Sequence, residues 1–275
     1  MNTDAWLKAF KDIGSQMHDE LPKILSIASS NVPLGRGAGG DKTYPIDKWA
    51  EDIIISALEK IYDKGESFTV ISEELGVRAF GEGENIVLID PIDGSNNAKS
   101  GFPSFSTSLA LLNGNKMSDL TVAYVMNLAT EDTFWAARGA GAYKSGVQIK
   151  TSPTETLTIA AFEASTPSRD LPPIMPILNT AKRVRCLGST ALDLAYLASS
   201  AISVFITAMP SRTFDYAAGM LIVQEAGGII TDLTGKTLDH VLVGLDRTVP
   251  LLASANRKLH TSVLKILSQQ ELIKQ

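Results

Sequence analysis

Asp90-Pro91-Ile92-Asp93-Gly94-Ser95 is the most informative part of this chain, and it follows an apolar run at residues 86–89 that predicts a short buried strand. Pro91 fixes its own φ and Gly94 tolerates a turn that other residues adopt poorly, so the two aspartates can meet at one point. Two carboxylates held together repel each other and require a cation or a proton between them. The stretch therefore predicts a cation-binding turn at the end of a strand.

The residues after this turn are suited to a phosphate group. Ser95 and Asn96 are good helix caps, and a helix that begins there would direct free backbone N–H groups outward. Metal-binding carboxylates beside a phosphate seat are what phosphoryl transfer requires. An ordinary turn remains an alternative, because Asp-Pro and Asp-Gly pairs are common in turns.

Two other aspartate-rich loops fit the stretch less well. A calcium loop of the EF-hand type has acidic groups at alternate positions and a glutamate further on, and the spacing here differs. A haloacid-dehalogenase-type phosphatase has one residue between its two aspartates, whereas two residues separate Asp90 from Asp93. The choice therefore depends on the rest of the chain.

The composition excludes several classes of protein. The 275 residues can form one large domain or two of ordinary size, and 44% hydrophobic residues are enough for a core. The net charge of −5 predicts no nucleic-acid partner, and no apolar run reaches the roughly 18–20 residues of a membrane span. The first residues carry neither a basic nor an apolar leader segment, so we expect a cytoplasmic protein with a small-molecule substrate and no membrane partner.

Cysteine and histidine usage restricts the kind of metal site. The single cysteine, Cys186, excludes an internal disulfide and is predicted to be an inert core residue on a strand. The three histidines, at positions 18, 240 and 260, make no zinc pattern. Any metal must therefore be held by oxygen, which favours Mg²⁺, Mn²⁺ or Ca²⁺.

The spacing of apolar residues predicts helices layered on two sheets. A helix is predicted over residues 47–62 and a strand over residues 68–71. Short strands separated by glycine-containing turns at residues 105–149 indicate an antiparallel meander, and strands alternate with helices after residue 159. We therefore expect an α/β (α+β) fold, with an N-terminal α+β subdomain at residues 1–150 and a C-terminal α/β subdomain at residues 151–275.

A glycine-rich segment lies at residues 33–42, where four glycines in six positions disfavour both helix and strand. It is either a linker or a loop that closes over a site and brings Arg36 or Lys42 to an anion, and we favour the closing loop. It lacks the Gly-Lys-Ser/Thr ending of a Walker-type phosphate loop.

Acidic residues recur at the ends of the predicted elements. Each one alone could be a helix cap or a solvated turn. Together at one place they would supply ligands for two or three hard divalent ions. The acids concerned are Asp47, Glu73, Glu74, Asp90, Asp93 and Asp215.

Three motifs, in this order, resemble the inositol monophosphatase family. They are Ile71-Ser72-Glu73-Glu74, then Asp90-Pro91-Ile92-Asp93-Gly94-Ser95-Asn96-Asn97, then Phe214-Asp215-Tyr216-Ala217-Ala218-Gly219. The chain looks most like archaeal members that accept both inositol phosphates and fructose 1,6-bisphosphate. This resemblance implies a layered αβαβα sandwich of the sugar-phosphatase type and a homodimer.

The resemblance implies two or three Mg²⁺ ions, for which Mn²⁺ can substitute. One ion would be held by Glu73, Asp90 and the carbonyl group of Ile92. A second would be held by Asp90, Asp93 and Asp215, so that Asp90 bridges the pair. Glu73 would share a third, weaker ion with the glycine-rich segment.

The resemblance also implies catalytic and substrate-binding residues. Catalytic roles fall to Asp47, Ser95 and Glu73, with Asp47 and Ser95 activating the attacking water. The backbone N–H groups of Gly94 and Ser95 would receive the phosphate. The substrate contacts implied in full are Gly94, Ser95, Arg185, Gly188, Ser189, Arg212 and Asp215.

The implied function is a Mg²⁺-dependent phosphatase for a small sugar or polyol phosphate, either inositol 1-phosphate or fructose 1,6-bisphosphate. Ala208 stands where animal inositol monophosphatases place a glutamate on the inositol hydroxyls, so strict specificity for inositol is not expected. Two alternatives stay open, a nucleotide 3′-phosphatase of the same superfamily and a non-catalytic sugar-phosphate binding protein that kept the fold.

Overall fold

A computed structural model describes residues 1–28, 33–40 and 42–273. The helices are α1 (Thr3–Ala28), α2 (Pro45–Tyr62), α3 (Ser95–Ser100), α4 (Pro167–Asp170), α5 (Met175–Thr180), α6 (Thr190–Ala198), α7 (Thr213–Glu225) and α8 (Arg257–Ile273). The strands are β1 (Gly35–Arg36), β2 (Lys42–Thr43), β3 (Phe68–Ser72), β4 (Gly76–Phe80), β5 (Asn85–Asp93), β6 (Ser106–Asn113), β7 (Leu120–Asn127), β8 (Thr133–Ala137), β9 (Gly141–Lys144), β10 (Val147–Ile149), β11 (Ile159–Glu163), β12 (Arg183–Arg185), β13 (Val204–Arg212), β14 (Ile229–Thr231) and β15 (Arg247–Ser254). A 3₁₀ turn covers Met117–Asp119.

The larger sheet has eight strands in the order β10-β9-β8-β7-β6-β5-β3-β4. Strands β5 to β10 form an antiparallel meander, as the sequence predicts for the part after residue 105. Strands β3 and β5 are parallel, and Ser72 pairs with Ile89 near their carboxyl ends. Because parallel neighbours end at the same edge of a sheet, this register places Glu73 next to Asp90.

The smaller sheet has five strands in the order β12-β11-β13-β15-β14. Strand β11 runs parallel to both β12 and β13, while β15 is antiparallel to β13 and β14. Parallel strands need a crossover connection, which α4, α5 and α6 provide here. The arrangement brings the carboxyl end of β11 towards the first sheet's acidic edge.

Three apolar clusters stack the elements into five layers. The first cluster packs α1 and α2 on one face of the eight-stranded sheet. The second places α6 and α7 between the two sheets, and the third packs α5 and α8 on the outer face of the five-stranded sheet. The strands show the expected period of two, since Phe205 faces the middle cluster and its neighbours Val204 and Ile206 face the outer one.

The layered α/β architecture with two sheets is confirmed. Strand β4 was not predicted, and β13 continues to Arg212 past an irregularity in its pairing between Thr207 and Ser211. The subdomain boundary near Lys150 stays a prediction, and α7 contacts strands of both sheets. Across the described residues, the helices include none that is long and apolar enough to cross a membrane.

The glycine-rich segment forms a small two-stranded pairing. Gly35 pairs with Thr43 and Arg36 with Lys42, while Asp41 lies outside the described residues. Gly40 has a φ of +90°, a conformation that favours glycine, and the guanidinium of Arg36 donates to its carbonyl group at 2.7 Å. The part from residue 35 to residue 40 is therefore folded against the protein in this structure.

Candidate active site

A β-bulge changes the direction of the carboxylate side chains within residues 90–95. On β5, Asp90 pairs with Ser108 and Asp93 pairs with Ser106, so three steps along β5 oppose two along β6. The extra residue bends the strand and alters the alternation of its side chains. Asp90 and Asp93 therefore both face the cleft described below, as the sequence predicts for this turn.

Gly94 joins the two halves of the site and allows no larger residue. Its φ is +90°, and a Cβ built there would lie 2.8 Å from the carbonyl oxygen of Gly188 and 3.0 Å from that of Ser104. Asn97 secures the same junction, because its Nδ2 donates to the carbonyl groups of Ser104 and Leu187, each at 2.6 Å. The turn before α3 is thus held against the turn before α6.

Two further acids are held at helix N-termini by backbone hydrogen bonds. Asp47 Oδ2 accepts the N–H of Tyr44 at 3.1 Å in the first turn of α2. Asp215 Oδ2 accepts the N–H of Arg212 at 2.9 Å in the first turn of α7. Both carboxylates are stabilised by the helix ends and remain part of the cleft wall.

These elements enclose a cleft of about 710 Å³. Its acidic lining consists of Asp47, Glu73, Glu74, Asp90, Asp93, Glu163, Asp170 and Asp215. Lys42, Lys99 and Arg247 contribute cationic side chains to the wall. The cleft can therefore hold both cations and an anionic ligand.

Burial and mutual repulsion raise the pKa values of the central acids. Asp90 is 3% exposed, and burial followed by the charge of Asp93 raises its pKa well above the usual range. Burial, then Asp215 and Glu74, raise the pKa of Glu73 to about 8. Burial also raises the pKa of Asp93 to about 7, against the hydrogen bonds from Ser189 and Ala191 that lower it. Without a cation, several of these carboxyl groups hold protons at neutral pH.

The donor set fits hard divalent cations. Asp90 Oδ1 and Asp47 Oδ1 are buried oxygen atoms without a hydrogen-bond partner, and an unpaired buried carboxylate oxygen is costly. The ligands at hand are carboxylates and a carbonyl group, which Mg²⁺ and Mn²⁺ prefer. Among the described residues no three acidic, histidine or cysteine side chains are already grouped for one ion, so side-chain rotation must bring them together.

The resemblance implies that Ser95 and Asp47 act as a pair, but in this structure the Ser95 hydroxyl group donates its hydrogen bond elsewhere. Ser95 Oγ donates to the carbonyl oxygen of Ile92 at 2.9 Å, which engages the oxygen implied as a metal ligand. Asp47 has its pKa raised by burial, while the nearby Ser95, Tyr44 and Lys99 oppose that rise. Ser95 therefore lies beside Asp47, and rotation about its χ1 would exchange the two acceptors.

Ser189 and Gly188 support the acids of the cleft, and Gly188 also lines it. Ser189 Oγ donates to Asp93 Oδ2 at 2.7 Å, and the backbone N–H of Ala191 donates to the same oxygen at 2.7 Å. Gly188 lines the cleft and its N–H donates to Glu163 Oε1 at 2.9 Å. The turn before α6 thus orients Asp93 from the second half of the chain.

The two arginines implied as substrate contacts lie apart. Arg185 is exposed on the edge strand β12, its Nη1 donates to the carbonyl group of Val184 at 2.8 Å, and the cleft lining does not include it. Arg212 is buried, and its Nη1 lies 3.7 Å from Glu73 Oε1. Substrate contact by either arginine stays a prediction.

The prediction for Cys186 is wrong. It follows β12 and is exposed, and it lines the cleft instead of the core. The strand predicted around it is an edge strand of only three residues, all exposed, which ends before Cys186. Partial desolvation of the thiol, followed by the charges of Glu163 and Asp193, nevertheless raises its pKa to about 11, so it is protonated at neutral pH.

A pair of acids beside the cleft was missed by the sequence analysis. Asp193 is fully buried and Glu163 lines the cleft, and after burial the charge of Glu163 is the main cause that raises the pKa of Asp193. Burial raises the pKa of Glu163 to about 7 and that of Asp193 well above its usual range, so one of them carries the shared proton. The sequence around Glu163 shows the same pattern as the sequence around Asp90, because Glu163 is the acidic residue at the end of an apolar strand, β11.

Comparison with known proteins defines the class. The model of the inositol monophosphatase family matches residues 8–272. A fructose-1,6-bisphosphatase/inositol-1-monophosphatase from Archaeoglobus fulgidus is 35% identical over 237 residues, covering 85% of this chain and 87% of that protein. A bifunctional NADP phosphatase/NAD kinase from Methanococcus maripaludis is 31% identical over 286 residues, covering 96% of this chain but 49% of that protein.

A solved structure agrees with these sequence matches. It is a Pyrococcus horikoshii protein described as having similarities for inositol-1 monophosphatase, which superposes with a TM-score of 0.81 at 28% identity and covers 96% of this chain and 98% of that one. The chain therefore belongs to the inositol monophosphatase family. It is a phosphoric monoester hydrolase, of a family that is generally metal-dependent.

The raised pKa values predict how pH affects the metal-free protein. Glu73 and Asp93 have pKa values of about 8 and about 7 when folded, and both return to about 4 when unfolded. Raised carboxyl pKa values stabilise the fold below the unfolded value, and this contribution is lost as pH rises through the folded values. We expect the melting temperature of chelator-treated protein to fall by several degrees between about pH 5 and about pH 8.

Magnesium should reverse that fall, because it replaces the lost protons as the counter-charge. Millimolar Mg²⁺ is expected to raise the melting temperature strongly at about pH 8 and little at about pH 5. Differential scanning calorimetry at both pH values measures this. An equal effect of Mg²⁺ at the two pH values would contradict the assignment of the acids to a cation site.

Proposed function

We propose that this protein is a Mg²⁺-dependent phosphatase that hydrolyses a small sugar or polyol phosphate, inositol 1-phosphate or fructose 1,6-bisphosphate. The observation that carries the proposal is the convergence of acids from both halves of the chain on one cleft beside the Gly94 turn. Their raised pKa values support it, since repelling carboxylates are suited to bind hard cations.

We infer that Glu73, Asp90 and the carbonyl group of Ile92 hold one ion, and that Asp90, Asp93 and Asp215 hold a second. When bound, such ions stabilise charge on the phosphoryl oxygens and make the attacking water easier to deprotonate. Manganese can replace magnesium, because the ligands are all oxygen atoms. The roles of the protein's own groups follow from their placement.

Asp47 is the group that takes up or directs the proton of the attacking water. Its Oδ1 is buried and without a hydrogen-bond partner, so it is available to accept one. Ser95 orients the same water through its hydroxyl group once that group leaves the carbonyl of Ile92. The backbone N–H groups of Gly94 and Ser95 bind the phosphate, because the φ of +90° at Gly94 turns the chain there.

The remaining cleft wall is suited to the sugar or polyol part. Glu163 can accept hydrogen bonds from hydroxyl groups, while Arg247 and Lys42 offer positive charge to a second phosphate. Because residue 208 is an alanine, the side chain expected to accept hydrogen bonds from the inositol hydroxyl groups is absent. This favours activity on more than one substrate. The relatives whose names give two substrates are consistent with activity on more than one substrate.

A phosphatase for nucleotide ribose phosphates is a second candidate. The relative from Methanococcus maripaludis is named as an NADP phosphatase as well as an NAD kinase, and its matched region includes nearly all of this chain. The cleft volume of about 710 Å³ also admits part of a nucleotide. Substrate competition between NADP⁺ and sugar phosphates separates the two candidates.

A substrate panel with and without metal tests the proposal. Phosphate release is measured from inositol 1-phosphate, fructose 1,6-bisphosphate, NADP⁺ and adenosine 3′,5′-bisphosphate, each in chelator and in Mg²⁺. We expect turnover of a sugar or polyol phosphate that vanishes in excess chelator and returns with Mg²⁺. Full turnover in chelator, or binding of sugar phosphates without any turnover, would contradict it. Light scattering of the same samples tests the expected homodimer.

A further inference from the structure

Arg212 contacts the glycine-rich segment and two of the acids at once. Its side chain is 8% exposed at the end of β13, directly before α7. Nη2 donates to the carbonyl oxygen of Gly39, and Nη1 lies 3.7 Å from Glu73 Oε1. Its own backbone N–H donates to Asp215 Oδ2 at 2.9 Å. One residue thereby connects residues 35–40, the end of β3 and the start of α7.

The glycine-rich segment is also bonded to the turn that carries Glu73. The N–H of Gly39 donates to the carbonyl of Glu73 at 2.8 Å, and the N–H of Ala38 donates to that of Glu74 at 3.2 Å. A Cβ at Gly39 would lie 3.2 Å from the Glu73 carbonyl oxygen, and a Cβ at Gly37 would lie 2.3 Å from Glu74 Oε2. Gly37 and Gly39 therefore allow the segment to lie close to Glu73 and Glu74. Gly40 is needed for a different reason, its positive φ.

A buried guanidinium is costly unless hydrogen bonds and counter-charge compensate it. The Arg212 guanidinium donates a hydrogen bond to the Gly39 carbonyl group and lies 3.7 Å from Oε1 of the Glu73 carboxyl group. Hydrogen bonds from a charged donor contribute more than those from a neutral donor. The contact with Gly39 is thus a main anchor of a segment whose glycines otherwise favour the unfolded chain.

We propose that Arg212 is a positioning residue whose side chain anchors the glycine-rich segment, residues 35–40, on Glu73 and holds Glu73 towards the cleft. Its role is then to order the ligands before a cation binds, and Arg212 does not belong to the described lining of the cleft. The anchoring contacts are independent of the substrate, and only the link to metal activation rests on the proposed function. If Arg212 instead bound the substrate, its replacement would raise KM and would leave residues 35–40 unaffected.

Hydrogen exchange of the metal-free and Mg²⁺-loaded protein tests the anchor without any substrate. Arg212→Met is expected to speed exchange of the Ala38 and Gly39 amides by about tenfold to a hundredfold, the equivalent of one charged hydrogen bond. Arg212→Lys should give a smaller increase, because one ammonium cannot reach both partners in the geometry of a guanidinium. If Arg212→Met does not fold, the lysine variant carries the test.

Arg138→Met is the matched control. Arg138 also donates to two backbone carbonyl groups, those of Leu120 and Ser118, but on the far meander. It should leave exchange at residues 35–40 unchanged whatever its effect on the melting temperature. In the activity assay, Arg212→Lys should raise the Mg²⁺ concentration for half-maximal turnover several-fold more than it raises KM for substrate.

Two results would overturn the proposal. The first is unchanged exchange at Ala38 and Gly39 in both Arg212 variants, even if KM rises. The second is equally faster exchange at these amides in Arg138→Met, which would show general destabilisation. A proposed function that fails in the substrate panel leaves the exchange result intact, so the two failures are distinguishable.

Discussion

The Asp90→Asn variant is expected to lower kcat by at least about a thousandfold at saturating Mg²⁺, because Asp90 would bridge both ions and each ion contributes several kcal/mol. Asp90 is the most central of the acids, since Asp93, Glu73, Asp215 and Asp47 all raise its pKa after the effect of burial. Asparagine keeps the shape of the side chain but removes the charge that the cations need.

The fold of this variant should survive, which makes the loss of activity interpretable. Replacing a buried, repelled carboxyl group by an amide removes repulsion, so the melting temperature of the metal-free variant should be equal to or above that of the wild type. It should also respond less to Mg²⁺. Asp63→Asn serves as the control, because it removes one negative charge from an exposed residue at the end of α2. A variant that keeps more than about a tenth of wild-type activity would exclude Asp90 as the bridge.

The second large effect is expected at Asp47. Asp47→Asn should lower kcat by about 10²–10⁴, the usual contribution of a positioned general base, with little change in KM or in metal dependence. Asparagine retains an oxygen that can accept the N–H of Tyr44, so the first turn of α2 remains capped. The loss should therefore report on chemistry and not on the helix.

Asp52→Asn, on the exposed side of the same helix, is the matched control for Asp47. Pre-steady-state and steady-state rates, measured with Mg²⁺ titrations, separate the two possible roles. A kcat that recovers fully at higher Mg²⁺ would show that Asp47 acts on the metal and not on the water. An unchanged kcat would remove Asp47 from the mechanism.

The acids of the site could be recognised from sequence because each one ends or begins an element. Glu73, Asp90 and Asp93 follow apolar runs of strand length, and Asp47 and Asp215 precede amphipathic or apolar helical runs. Such signals are local, since strand and helix periodicities need only a few neighbouring residues. The oxygen-only donor set, and hence the class of metal, followed from the same residues.

The close packing of the two halves could not be predicted in this way. Ser189 and Asp93 are separated by 96 positions, and Arg212 and Gly39 by 173, yet they form hydrogen bonds. Their contacts depend on the parallel register of β3 and β5, on the bulge in β5 and on the placement of α6 and α7 between the sheets. None of these features leaves a pattern within one segment.

Burial likewise was decided by the tertiary structure. Cys186 was predicted to be a core residue but is exposed, because it follows a three-residue strand at the edge of the second sheet. Asp193 is fully buried, because α6 is packed between the two sheets. Local sequence patterns are enough to show which residue types end each element, and therefore what chemistry they can perform. Which of these residues meet, and which lose water, depends on long-range packing, and the pKa values follow from that packing.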